Sequence, residues 1–75
     1  MKELVEFVAR SVVDDPESVR VSETDGEKTI VLELRVAEGD MGKVIGKEGR
    51  VAEAVRTLLK VAAARQGKRV VLQIV

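Results

Sequence analysis

The chain contains no cysteine, histidine, tryptophan or tyrosine, and Phe7 is its one aromatic residue. Without cysteine there is neither a disulfide framework nor a thiolate metal site. Without histidine as well, the commonest general base and metal ligand is missing, and no serine sits in a nucleophilic constellation. Catalysis is therefore not expected, nor is a bound metal or cofactor. The scarcity of aromatics also removes the rings on which many single-strand binders stack bases. No apolar run approaches the ~20 residues needed to span a bilayer, and Met1-Lys2-Glu3 begins no signal peptide. A soluble, cytoplasmic protein is expected. An excess of charge of one sign is lacking too, since 13 cations balance 13 anions.

That balance conceals a polarity along the chain. Residues 1–40 carry five cations against eleven acids, whereas residues 41–75 carry eight cations against only Glu48 and Glu53. Such a chain can present a basic face to phosphates at zero net charge. The same asymmetry also allows the two halves, or two copies, to attract each other. Seventy-five residues predict one domain, spanning 1–75. A chain this short buries roughly 60% of its unfolded surface, so most apolar residues must serve the core.

What is present falls into six segments. Leu4, Val5, Val8, Ala9 and Val12 recur at helical spacing over residues 3–13, predicting an amphipathic helix with Glu3, Glu6 and Arg10 outside. Asp14-Asp15-Pro16 stops it, because proline restricts the residue before it and cannot continue the ladder. Asp14 and Asp15 are the only close carboxylate pair, and their place at a helix end predicts a capping turn rather than a metal site.

Val19 and Val21, then Ile30, Leu32, Leu34 and Val36, alternate with polar residues in the manner of strands. Asp25-Gly26 between them predicts a tight hairpin with positive φ at both central residues. Asp40 is the expected N-cap of a short helix over 41–45, and a longer helix is expected over 50–65. In that helix Val51, Val55, Leu58, Leu59 and Ala62 share one face, and Arg56 and Lys60 another. Gly67 is the expected C-terminal cap. Residues 70–75 are almost wholly apolar, predicting a short strand buried in the sheet. The order is α-β-β-α-α-β, an α+β fold with helices layered on one face of a three-stranded sheet.

The chemistry concentrates in Gly46-Lys47-Glu48-Gly49, between the two later helices. Two glycines allow a sharp turn and let another chain approach the backbone without meeting a Cβ. The next helix begins near Arg50, so its free N–H groups and dipole favour an anion there. Lys47 and Arg50 add full positive charges, Lys43 precedes Lys47 by about one helical turn, and Ile45 and Val51 offer apolar surface. A phosphodiester backbone suits this arrangement. Glu48 opposes it, and two readings stand: an acid stabilising the helix N-terminus by about 0.3–1 kcal/mol, or a reader of a base edge. The loop is neither an NTPase phosphate loop, which needs Gly-x-x-x-x-Gly-Lys-Ser/Thr, nor a dinucleotide fingerprint.

Asp40-Met41-Gly42-Lys43-Val44-Ile45-Gly46-Lys47-Glu48-Gly49-Arg50, set after a hairpin and before a last strand, resembles the signature of a type II KH domain. Over its whole length the chain is similar to the small single-KH proteins of the KhpA family. The resemblance implies an RNA-binding protein that clamps about four nucleotides of single-stranded RNA. Gly46 and Gly49 would permit the approach, Lys47 and Arg50, with Lys43 nearby, would meet phosphates, and Ile45 and Val51 would floor the groove. It further implies a cytoplasmic RNA chaperone that works with a KhpB/Jag-type partner in cell elongation and envelope synthesis. Glu48 and the missing aromatics predict weak, salt-sensitive binding with little sequence preference. The rival reading is a protein-interaction or homodimerisation module. In it Arg56, Lys60 and Arg65 meet an acidic partner, and Ala62, Ala63 and Ala64 admit a neighbouring helix. On either reading Phe7, in the first helix, is expected as a core or interface contact.

Overall fold

The computed structural model describes residues 1–75. Its regular elements are α1 (Lys2–Val12), β1 (Arg20–Asp25), β2 (Thr29–Arg35), α2 (Met41–Ile45), α3 (Arg50–Ala64) and β3 (Arg69–Ile74), with three single 3₁₀ turns between them. The α-β-β-α-α-β order and the α+β class are those expected. The sheet runs β1-β2-β3: β1 and β2 are antiparallel, as a short connection requires, while β2 and β3 are parallel, joined by a crossover through α2 and α3.

Period-two alternation puts Val21, Ile30, Leu32, Leu34 and Leu72 on the helix-facing side. There they meet Val5 and Ala9 of α1 and Val55 and Leu59 of α3. Leu32 and Leu59 are fully buried, and Val5, Val19 and Ile30 are nearly so. Each such side chain contributes about 1.5–3 kcal/mol relative to an exposed one. Ser22, Glu33 and Gln73 form one cross-strand row on the opposite, open face.

Three expectations are corrected. Neither Asp25 nor Gly26 adopts positive φ; the strands are joined through residues 26–28, with the Gly26 N–H donating to the Thr29 carbonyl at 2.9 Å. The last strand is not buried in the sheet, because it is an edge strand in which Leu72 alone is buried and Val71 lies on the open face. The inward face of α3 is Ala52, Val55, Leu59 and Ala63, so Leu58 is 52% exposed: a sheet of three strands is too narrow to cover it. Phe7 is 72% exposed and takes no part in the core. Gly67 does close α3 as expected, its N–H donating to the Ala64 carbonyl while that of Lys68 donates to Ala63, both at 3.0 Å.

Candidate nucleic-acid interface

The loop between α2 and α3 has a backbone few residues can follow. Gly46 has φ 80° and ψ 171°, a region open essentially to glycine alone. Glu48 and Gly49 then follow in the left-handed region, at φ 58° and φ 76°. Gly46 is required twice over, because a Cβ there would lie 2.5 Å from Val51 Cγ2 and 2.8 Å from the Val51 amide nitrogen. Gly49 faces open space, so its demand is conformational only. The Gly46 N–H donates to the Gly42 carbonyl at 2.8 Å and the Gly49 N–H to the Gly46 carbonyl at 3.1 Å, which ties the turn to the end of α2.

From this loop a groove of about 640 Å³ runs between α3 and β3. Ile45 and Gly49 stand at its mouth, Ala52 and Arg56 form the helical wall, and Leu72, Gln73, Ile74 and Val75 the other. A second hollow of about 480 Å³ continues beyond Arg56 and Leu72, edged by Glu53, Lys60 and Val70. Arg56 forms the waist between them, its Nη2 donating to the Leu72 carbonyl at 3.4 Å. That carbonyl is free to accept because β3 is an edge. Arg69 and Val75 donate their N–H groups to the Lys28 and Leu34 carbonyls of the β2 side. Strand alternation then turns the N–H and C=O groups of Leu72 and Ile74 outward, into the groove.

The eight residues singled out from the sequence do not all reach this groove. Ile45 and Gly49 line it, Gly46 shapes its mouth, and Lys47 is exposed beside it with no ion pair. Arg50 is exposed but paired with Glu48, Nη2 to Oε2 at 3.5 Å. Two such exposed charges hold each other weakly. No side chain caps the first turn of α3, although the Arg50 N–H is taken by the Lys47 carbonyl within the loop. Val51 lies elsewhere: it faces an apolar pocket under α1, with Val5, Val8, Val12 and Val55. The groove floor is built instead from Ala52, Leu72 and Ile74, which the sequence did not mark.

Lys43 is also otherwise engaged. Its Nζ donates to Asp14 Oδ2 at 2.9 Å and lies 3.6 Å from Asp40 Oδ1. Asp40, expected to cap α2, makes no side-chain cap there. Its carboxylate turns the other way and accepts the backbone N–H groups of Asp14 and Asp15, at 3.2 and 3.0 Å. At 4% exposed it is the one buried charged side chain. Desolvation pushes its pKa up, but the two backbone donors and Lys43 outweigh this and hold it below its ordinary value of 3.8. Hydrogen bonding and charge from Asp14, then the charge of Asp40, raise Lys43 above 10.5 against its own desolvation. The Asp14-Asp15 pair is thus a structural turn, Asp15 also accepting the Ser18 hydroxyl at 2.6 Å. No group of three acids is placed to hold a metal ion.

Helices on one face of a three-stranded mixed sheet, with a Gly-x-x-Gly turn opening onto an edge-strand groove, define a KH domain. The chain belongs to the KhpA/KhpB KH-domain family, whose model matches residues 2–74. It is 57% identical to the RNA-binding protein KhpA of Clostridium acetobutylicum over the whole of both chains. To the RNA-binding protein KhpA of Aquifex aeolicus it is 53% identical, over 99% of this chain and 94% of the relative. This is not a family of enzymes. Among solved structures, 97% of the chain superposes on 28% of Era, crystallised with MgGDPNP and nucleotides 1506–1542 of 16S ribosomal RNA. The TM-score is 0.57 at 23% identity, which is a likeness of fold. No helix is long and apolar enough to cross a membrane.

Proposed function

We propose that this protein is a single KH domain that binds single-stranded RNA, the Gly46-Lys47-Glu48-Gly49 turn holding the phosphate backbone and the groove receiving the bases. The observation that carries the reading is the coincidence of three features at one groove mouth. They are a backbone shaped by Gly46 and Gly49, the N-terminus of α3 with no side-chain cap, and the unpaired Lys47. Beyond the mouth, the outward N–H and C=O groups of Leu72 and Ile74 offer hydrogen bonds to base edges, and Arg56 and Lys60 supply further charge. Arg50 contributes once RNA displaces Glu48, and Ile45 gives the bases an apolar surface. The curated relatives bear the name RNA-binding protein, which agrees with this reading.

With no aromatic ring in the groove, stacking of about 1–3 kcal/mol per base is not available. Binding is then weak, salt-dependent and tolerant of sequence, as befits a cytoplasmic RNA chaperone. A KhpB/Jag-type partner adding a second RNA-binding surface raises affinity by linkage. The role that the family resemblance implies for such a pair is RNA-level control of cell elongation and envelope synthesis.

The test is fluorescence anisotropy with single-stranded RNA, comparing wild type with folded Lys47→Asp across a salt series. Wild type binds, its log K falling with log salt by about 0.7 per phosphate contacted, while the variant loses most of the affinity. Equal binding by the two, or none by either, sinks the loop reading. A second reading has its own observation: Leu58 and Val61, both about half exposed, form an apolar stripe on α3. They suit a homodimer or partner interface, one that persists at high salt where RNA binding fades.

A further inference from the structure

Asp40 poses a question that RNA contact does not answer. A buried carboxylate is costly unless fully paired, and an apolar residue of similar size would fit a small core more cheaply. Its three partners show what it does. Asp14 and Asp15 follow the end of α1, where Pro16 prevents helical continuation, and their N–H groups have no ladder to join. Asp40 supplies one oxygen to each, and Lys43 closes the arrangement from outside by bridging Asp40 and Asp14.

The latch joins the end of α1 to the start of α2, and the loop lies at the other end of α2. At five residues α2 is little more than one turn, and only Val44 on it is buried. One turn of helix holds neither its shape nor its direction alone, since nucleation is unfavourable and its apolar hold on the core is Val44 with the partly buried Met41. Downstream, the Gly46 turn is fixed by its packing on Val51. Upstream, the polar attachment is Asp40, beside the packing of Met41 on the core.

We propose that Asp40 is the positioning residue of the loop: gripped by Asp14, Asp15 and Lys43, it fixes α2 against the end of α1 so that residues 46–49 present the backbone geometry RNA requires. The inference rests on the loop being the RNA clamp. It assigns Lys43, which sequence spacing puts among the phosphate contacts, to the scaffold.

The experiment pairs RNA anisotropy with amide NMR on Asp40→Asn and Lys43→Met, at a temperature where circular dichroism shows each variant folded. Asn at 40 removes the charge and one of the two acceptors. It is expected to weaken RNA binding about tenfold and to shift the amides of residues 42–50 while leaving β2 and β3 in place. Lys43→Met is expected to leave the salt slope unchanged, because no phosphate contact is lost. Asp40→Asn with wild-type affinity and unmoved loop amides overturns the proposal, as does a Lys43→Met salt slope reduced by one contact. If wild type itself binds no RNA, the clamp reading fails separately. The NMR arm then decides: shifts at 42–50 uphold positioning, and shifts confined to 13–16 and 40 overturn it. Should Asp40→Asn not fold, Asp40→Ser, which keeps one hydroxyl acceptor, is read on the same two measurements.

Discussion

At the scale of single residues, the two loop glycines differ in what they supply. Gly46 occupies a backbone region closed to side chains and packs against Val51 at distances no Cβ tolerates. Gly46→Ala therefore combines backbone strain with overpacking, and a destabilisation above about 2 kcal/mol is expected in urea denaturation. Gly49 has only its left-handed φ to defend, so Gly49→Ala is expected to cost about 1–2 kcal/mol. Equal losses at the two positions would remove the argument from Val51 packing. The cations near the loop also sort by partner. Lys43 is held by two carboxylates and Arg50 by one, which leaves Lys47 as the charge most directly offered to a ligand.

At the scale of elements, α3 serves both core and groove. Leu59 is fully buried and Leu58, its neighbour in sequence, is half exposed. Leu59→Ala is expected to cost about 2–5 kcal/mol, and Leu58→Ala to stay within about 0.5 kcal/mol in the monomer. Chemical denaturation measures both, and a large loss at Leu58 at low protein concentration would contradict the observed rotation of α3. Helical periodicity groups Leu58 with the core because it reports a broad apolar stripe and not its width. Which edge of that stripe meets the sheet depends on how many strands lie beneath. The final strand shows the same gap. Its apolar run announces a strand, but exposure follows from its position at the sheet edge, which only the β2–β3 pairing reveals.

At the scale of the whole molecule, the Asp40 latch couples the acidic N-terminal half to the basic C-terminal half and gives stability a pH signature. The folded pKa of Asp40 lies below its ordinary 3.8, so its contribution is present above that value and lost as pH falls through the folded pKa. The folded pKa of Lys43 lies above 10.5, so its contribution is present below that value and lost as pH rises through the folded pKa. Thermal melts across pH are expected to show a plateau between these limits. Asp40→Asn is expected to flatten the acid fall and Lys43→Met the alkaline one. A variant whose melting curve keeps the wild-type acid fall would show that other carboxylates control it.

The sequence by itself determined the order of helices and strands, the KH signature and the position of the Gly-x-x-Gly turn. These are legible because periodicity, proline and glycine act over a few neighbouring residues. It also put Gly46 and Gly49 where the turn needs its positive φ, since turn chemistry is local. Tertiary structure alone decided which wall faces the groove, that Val51 packs inward, that Arg56 reaches the Leu72 carbonyl, and that Asp40 and Lys43 clasp Asp14 and Asp15. Each of those contacts joins residues far apart along the chain: Arg56 to Leu72 spans 16 positions and Asp40 to Asp14 spans 26. A capping residue read from spacing has one expected partner, the next few N–H groups of its own helix. In the folded chain the nearer unsatisfied donors belonged to the end of α1, and the buried carboxylate went to them.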